Sequence, residues 1–135
     1  MDKKVLFSTL WVFLTANYIF CDVFTLFYAP DLNQFLKGNA GGIELTQGFL
    51  LTFAIIMELA MVMIVLSRVL KYSLNRWLNI IGGIAFTIIQ VGTLVDGDFT
   101  KHYLFFSLVE ISTTLYIGWT AWNWKRNESV HTRID

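Results

Sequence analysis

Three carboxylates stand inside long apolar runs of this chain: Asp22, Glu58 and Glu110. Two neutral amides, Asn17 and Gln90, stand in similar surroundings. A carboxyl group taken out of water with no basic partner has two states open to it. It keeps its proton, or it holds a cation. That cation is a metal ion, a proton shared with a second carboxylate, or the charged head of a lipophilic ligand. Either state suits ligand binding or proton-linked transport. The plainer alternative is that these groups are protonated or hydrogen-bonded polar glue between helices.

The elements that must position these groups are four apolar runs, at about 5–28, 46–66, 78–95 and 103–124. Each meets or approaches the roughly 20 residues a helix needs to cross the hydrocarbon core. Barrel strands are excluded because they alternate apolar and polar, and Phe53-Ala54-Ile55-Ile56-Met57 does not. The 135 residues suffice for one domain, 1–135. Hydrophobic residues make up 56% and charged ones 15%, well away from the balance of a soluble domain. The expected class is an all-α bundle of four transmembrane helices, with the lipid bilayer as its first partner. Net charge is zero, so attraction to nucleic acid has no support. The start, Met1-Asp2-Lys3-Lys4 before an apolar stretch, resembles a signal peptide. The stretch is too long and lacks a small-x-small cleavage site, so it reads as a retained first span.

Basic residues give the orientation. Lys3, Lys4, Arg68, Lys71, Arg76, Lys125, Arg126 and Arg133 fall on one side, and only Lys37 and Lys101 on the other. Both termini and the central loop are therefore expected in the cytoplasm. The bias also argues against a dual-topology antiparallel dimer. Trp77, Trp122 and Trp124 are expected at the cytoplasmic interface, Tyr28 and Tyr103 at the outer one. In the outer loop, Pro30-Asp31 through Gly38 reads as a short interfacial helix, capped by Asp31 and ended by Gly38. Asn39-Ala40-Gly41-Gly42 is a flexible turn, and Thr46 caps the second span.

Counting along each span places Asp22 in the outer third of the first, Glu58 near the middle of the second, Gln90 just outward of centre in the third and Glu110 in the outer third of the fourth. An acid at mid-span costs about 2.5–3.5 kcal/mol on insertion scales, so three of them need a reason. Ser8, Thr15 and Asp22 form one stripe at a seven-residue repeat. Ser107, Glu110, Thr114, Gly118 and Ala121 form another, small and polar, as do Gly83, Gln90 and Gly97. The expectation is an inward-facing polar cavity, open to the outer side, built from Asp22, Glu58, Glu110, Gln90 and Asn17. Glu58 and Glu110 lie on spans that run the same way and end in basic groups, as an internal duplication would place them, but spans one and three align poorly.

The remaining candidates read as ordinary. Cys21 has no partner for an intrachain disulfide or a CxxC pair and packs as a small apolar residue. His102 and His131 fall on opposite sides and cannot jointly bind haem or zinc; both read as solvated. No metal-ligand set exists, so no cofactor is expected. Asp96 and Asp98 flank Gly97 as turn chemistry. Asn127-Glu128-Ser129 matches the glycosylation triplet by chance, on the wrong side. The basic, aromatic segment 67–77 reads as an anchor to anionic headgroups.

Within that segment, Ser67-Arg68-Val69-Leu70 and Asn75-Arg76-Trp77-Leu78-Asn79-Ile80 resemble the pattern of an uncharacterised family of small bacterial four-span membrane proteins. Asp22, Glu58 and Glu110 look like that family too. The resemblance spans nearly the whole chain and implies the topology, a bacterial origin and so an inner-membrane location, but no reaction. In size and hydropathy the chain also looks like the broader DoxX-like group. The leading functional reading is a protein that binds a small cationic or protonatable ligand, as a proton-linked transporter or its subunit. Four spans enclose little volume, so a homo-oligomer is expected. An intramembrane enzyme acting on a lipid-like or quinone-like substrate is the second reading; no histidine or nucleophile motif lies in the spans to support it. An accessory subunit whose acids meet basic groups of a partner helix is the third.

Overall fold

The computed structural model describes residues 1–95 and 97–126. The readings at Asp96, His131, Arg133 and the Asn127-Glu128-Ser129 triplet lie outside these residues. Seven elements follow along the chain: α1 Lys3–Phe27, α2 Ala29–Leu36, β1 Asn39–Ala40, β2 Ile43–Glu44, α3 Gln47–Val69, α4 Tyr72–Val95 and α5 Lys101–Trp122. Four of them, α1, α3, α4 and α5, are long and apolar enough to cross a membrane. The chain is a multi-pass membrane protein.

Local chemistry sets the ends. The Asp2 carboxylate accepts from the Lys4 amide at 3.0 Å and caps α1. Thr46 caps α3 through the Phe49 amide, as expected, and Thr100 caps α5 through the Tyr103 amide. The interfacial helix α2 forms where its sequence places it, with Pro30 in its first turn. Its N-cap is Tyr28, which makes no side-chain cap bond; Asp31 lies inside the first turn instead of capping it. The turn after it is tighter than the sequence implied. Gly41 and Gly42 both take positive φ, 55° and 85°, the pairing a two-residue hairpin turn requires, and β1 and β2 pair antiparallel around them.

The largest departure is the start of α4. The run of apolar residues begins near 78, yet the helix begins at Tyr72 and only Leu70 and Lys71 separate it from α3. Asn75 and Arg76, in its first turn and a half, are what the apolar count treated as loop, and Asn79 stands just inside the expected span. Asn75, Arg76 and Asn79 instead point into the bundle and are satisfied there. The Trp11 indole donates to Asn79 Oδ1 at 2.8 Å. The Asn79 amide donates to Asn75 Oδ1 at 2.7 Å and to Ser67 Oγ at 3.4 Å. The Asn75 amide donates to the Ser67 carbonyl at 2.7 Å. Asn75, Asn79, Ser67 and Trp11 are all fully buried. Arg76 reaches the end of α5, donating from Nε to the Ala121 carbonyl and from Nη2 to the Trp122 carbonyl, at 3.1 and 2.9 Å. These carbonyls belong to the last turn of α5, beyond the regular helical ladder, and the cation suits the negative pole there. Tyr72 donates to the Trp124 carbonyl at 2.7 Å. Segment 67–77 thus ties the helices together at one end of the bundle, hereafter the basic end. Trp77 and Trp122 are exposed, but Trp124 is buried against Phe7 and Tyr72, so it is a core residue and not part of an interfacial belt.

Packing runs α3–α1–α5–α4, with α3 touching α4 sparsely. The tightest approach is between α4 and α5. A Cβ added at Gly83 would stand 2.8 Å from the Thr114 carbonyl oxygen and 2.9 Å from the Gly118 nitrogen. Small residues allow such contact in lipid, where burying leucine gains nothing over leaving it in acyl chains. The inside is accordingly polar for its size, with Ser107, Glu110, Thr114 and Gln90 buried, while Phe20, Leu51, Ile88 and Trp119 face outward.

Gly83→Ala should lower the melting temperature of the detergent-solubilised protein, since backbone must yield to the new methyl, at a cost of about 1–3 kcal/mol. Gly118→Ala, which meets nothing within 4 Å, should leave it unchanged. Asn79→Leu strands the Trp11 donor and the Asn75 amide oxygen, so it should destabilise by about 1–3 kcal/mol in the same unfolding measurement.

Candidate functional site

Glu110 lies on the face of α5 turned into the bundle, in the stripe Ser107, Glu110, Thr114 that the sequence marked. It is 1% exposed, and its Oε1 is buried with no hydrogen-bond partner. Around it stand three residues of α1, spaced three and four apart on one helical face. The buried Tyr18 and Cys21, and Asp22, all lie within its electrostatic reach. Tyr103, one helical repeat away on α5, also lies within electrostatic reach. Asp22 itself is exposed. The acids therefore differ in setting: one sealed in the core, one at its margin, toward the end of the bundle that carries α2 and the hairpin.

The polar groups next to Glu110 are mostly engaged with one another. Gln90 is buried, and its amide donates to Ser107 Oγ at 2.8 Å. Thr87 donates to the Gly83 carbonyl and shares a hydrogen bond with Thr114 at 2.7 Å. These pairs stack along the α4–α5 contact that Gly83 makes close. Glu110 stands in the same row of α5 but faces α1, and no donor meets it.

The five residues expected in one cavity are thus divided. Glu110, Asp22 and Gln90 come to the same part of the bundle, Gln90 with its amide already held. Asn17 donates its amide to the Phe13 carbonyl of its own helix and is partly exposed. Glu58 does not join: its side chain is exposed, on the side of α3 opposite the buried Ala60, Met63 and Ser67. The convergence of all three acids is corrected to two. The reason is angular. Nothing in a single span tells which way its acid faces when the flanking residues are apolar all round, and α3 is apolar all round. Glu58 and Glu110 are consequently not equivalent, and the suspected duplication has no counterpart in their settings.

Residues the sequence reading passed over also shape the region. Tyr18 was unremarkable among aromatic neighbours. His102, read as solvated, joins α1 to α5: its Nε2 lies 3.2 Å from Thr25 Oγ1 and 3.3 Å from Thr100 Oγ1. Trp11, Asn75 and Asn79 belong to the basic-end network; the four-residue spacing of the two asparagines was the available signal. Among the described residues, no three His, Cys, Asp or Glu side chains form a group that could hold a metal ion.

Satisfied and unsatisfied groups should respond differently to replacement. Glu110→Met removes a buried acid that makes no hydrogen bond, so thermal unfolding should show no loss of stability, or a gain. Gln90→Leu strands Ser107 and should cost about 1 kcal/mol. A loss on Glu110→Met as large as on Gln90→Leu would make Glu110 structural glue.

A family model described as "Family of unknown function (DUF6326)" matches residues 1–131. No curated protein and no solved structure matches the chain. The chain belongs to the DUF6326 family.

Proposed function

For this member of a family with no assigned reaction, we propose an intramembrane carboxyl site that binds a cation. The occupant is a proton or the ammonium-type head of a small lipophilic molecule. The carrying observation is the buried, unpartnered Oε1 of Glu110. In the adjoining α4–α5 contact Gln90 is matched with Ser107 and Thr87 with Thr114, while Glu110 is left out of those pairs, and function is where such mismatches are retained. Asp22 at the margin supplies a second negative group on the way in. Tyr18 and Tyr103 offer aromatic surface, to which organic cations are attracted. A proton and an organic cation would compete for the same carboxyls, which is the coupling a proton-linked transporter needs. The positive-inside bias puts the basic end in the cytoplasm, so Asp22 faces the outer side of what we take to be a bacterial inner membrane.

Tetraphenylphosphonium serves as the probe, measured by equilibrium binding to the purified chain in nanodiscs. Wild type should bind it, with affinity falling as the medium is acidified. Glu110→Gln should weaken binding at least tenfold and Asp22→Asn several-fold. Equal binding by wild type and Glu110→Gln, or equal binding of the uncharged triphenylphosphine oxide, overturns the proposal.

A further inference from the structure

Glu58 is the acid this site leaves over. It is the middle residue of α3, eleven positions from Gln47 and eleven from Val69. At about 1.5 Å per residue, that is the midplane of the bilayer. Leu51, Ala54, Met61 and Val65 share its face, and all are exposed. Among the described residues nothing hydrogen-bonds to Glu58 or pairs with it. α3 is also the span least covered by the rest of the chain. A carboxyl facing acyl chains at this depth is disfavoured unless something polar meets it. Whatever covers the face must present a polar group at mid-membrane.

A second copy presents one. A protonated carboxyl is a donor and an acceptor at once. Across a twofold axis, each Glu58 donates one hydrogen bond to its counterpart and accepts one in return. An isologous contact sets a residue near the axis opposite itself, so the face is self-complementary in polarity as well as in position. Ala54, one turn away, lets the backbones come close. A contact of Glu58 with another face of a second copy lacks a charged counterpart, because no Lys or Arg lies at mid-depth in any span. We infer that this chain dimerises through the exposed face of α3, with the two Glu58 carboxyls paired at the bilayer midplane. This surface lies on a different helix from the Glu110 site and does not depend on it.

Mass measurement of the full chain in nanodiscs or mild detergent tests the inference. Wild type should be dimeric. Glu58→Gln, whose amide also donates and accepts, should stay dimeric. Glu58→Leu should weaken association at least tenfold while thermal unfolding shows the fold intact. In a Cys21→Ala background, Ala54→Cys and Met61→Cys should each cross-link to themselves, and Leu108→Cys, exposed on α5, should not. A monomeric wild type overturns the inference, as does a dimer indifferent to Glu58→Leu or one that cross-links through Leu108→Cys. A monomer that co-purifies a second membrane protein, lost in Glu58→Gln, overturns it in favour of a basic partner helix. None of these outcomes alters tetraphenylphosphonium binding at Glu110, so the two proposals fail separately.

Discussion

Inside a membrane an amide cannot be left unanswered, and in this chain the buried pair Asn75–Asn79 is answered in full. Trp11 of α1 donates to Asn79, Asn79 to Asn75, and Asn75 to Ser67 of α3. Two steps along, Arg76 holds the last carbonyls of α5. All four long helices are thereby joined at one end. The hydrophobic effect gives no reason for helices to meet in lipid, so bonds of this kind, with close contacts between small residues, supply the specificity. The two-residue connection between α3 and α4 follows from the same network, since Ser67 and Asn75 must lie near each other.

From that fixed end the helices run toward the hairpin with weaker ties. Gly83 brings α4 against α5, and the pairs Thr87–Thr114 and Gln90–Ser107 hold the register. The contrast along one row of α5 is then sharp. Ser107 and Thr114 are matched across the helix contact, while Glu110 between them turns to α1 and finds Tyr18, Cys21 and Asp22, none of which donates to it. Matched polar groups explain architecture. An unmatched acid in the same row has no architectural role to perform, which is why the functional reading rests on it.

The two remaining acids show how much a polar residue's meaning depends on its surroundings. Asp22 is exposed at the edge of the Glu110 site and Glu58 is exposed on an outer face. In the sequence the three looked alike, each a carboxylate in an apolar run. One lies in the core, one at a margin, and one on an exposed face of α3.

The sequence by itself determined the membrane class, the four spans and the interfacial helix, because length and hydropathy are properties of each segment alone. It also marked the small, polar stripe of α5 as inward-facing, since that stripe contrasts with apolar flanks. It did not place Asn75 and Asn79, because a polar residue near a span's end reads equally as loop or as buried glue. Nor did it aim Glu58, because α3 is apolar on every side and its rotation carries no signal. Those choices depend on which side chains from other helices stand opposite, and only packing of the four helices together decides that.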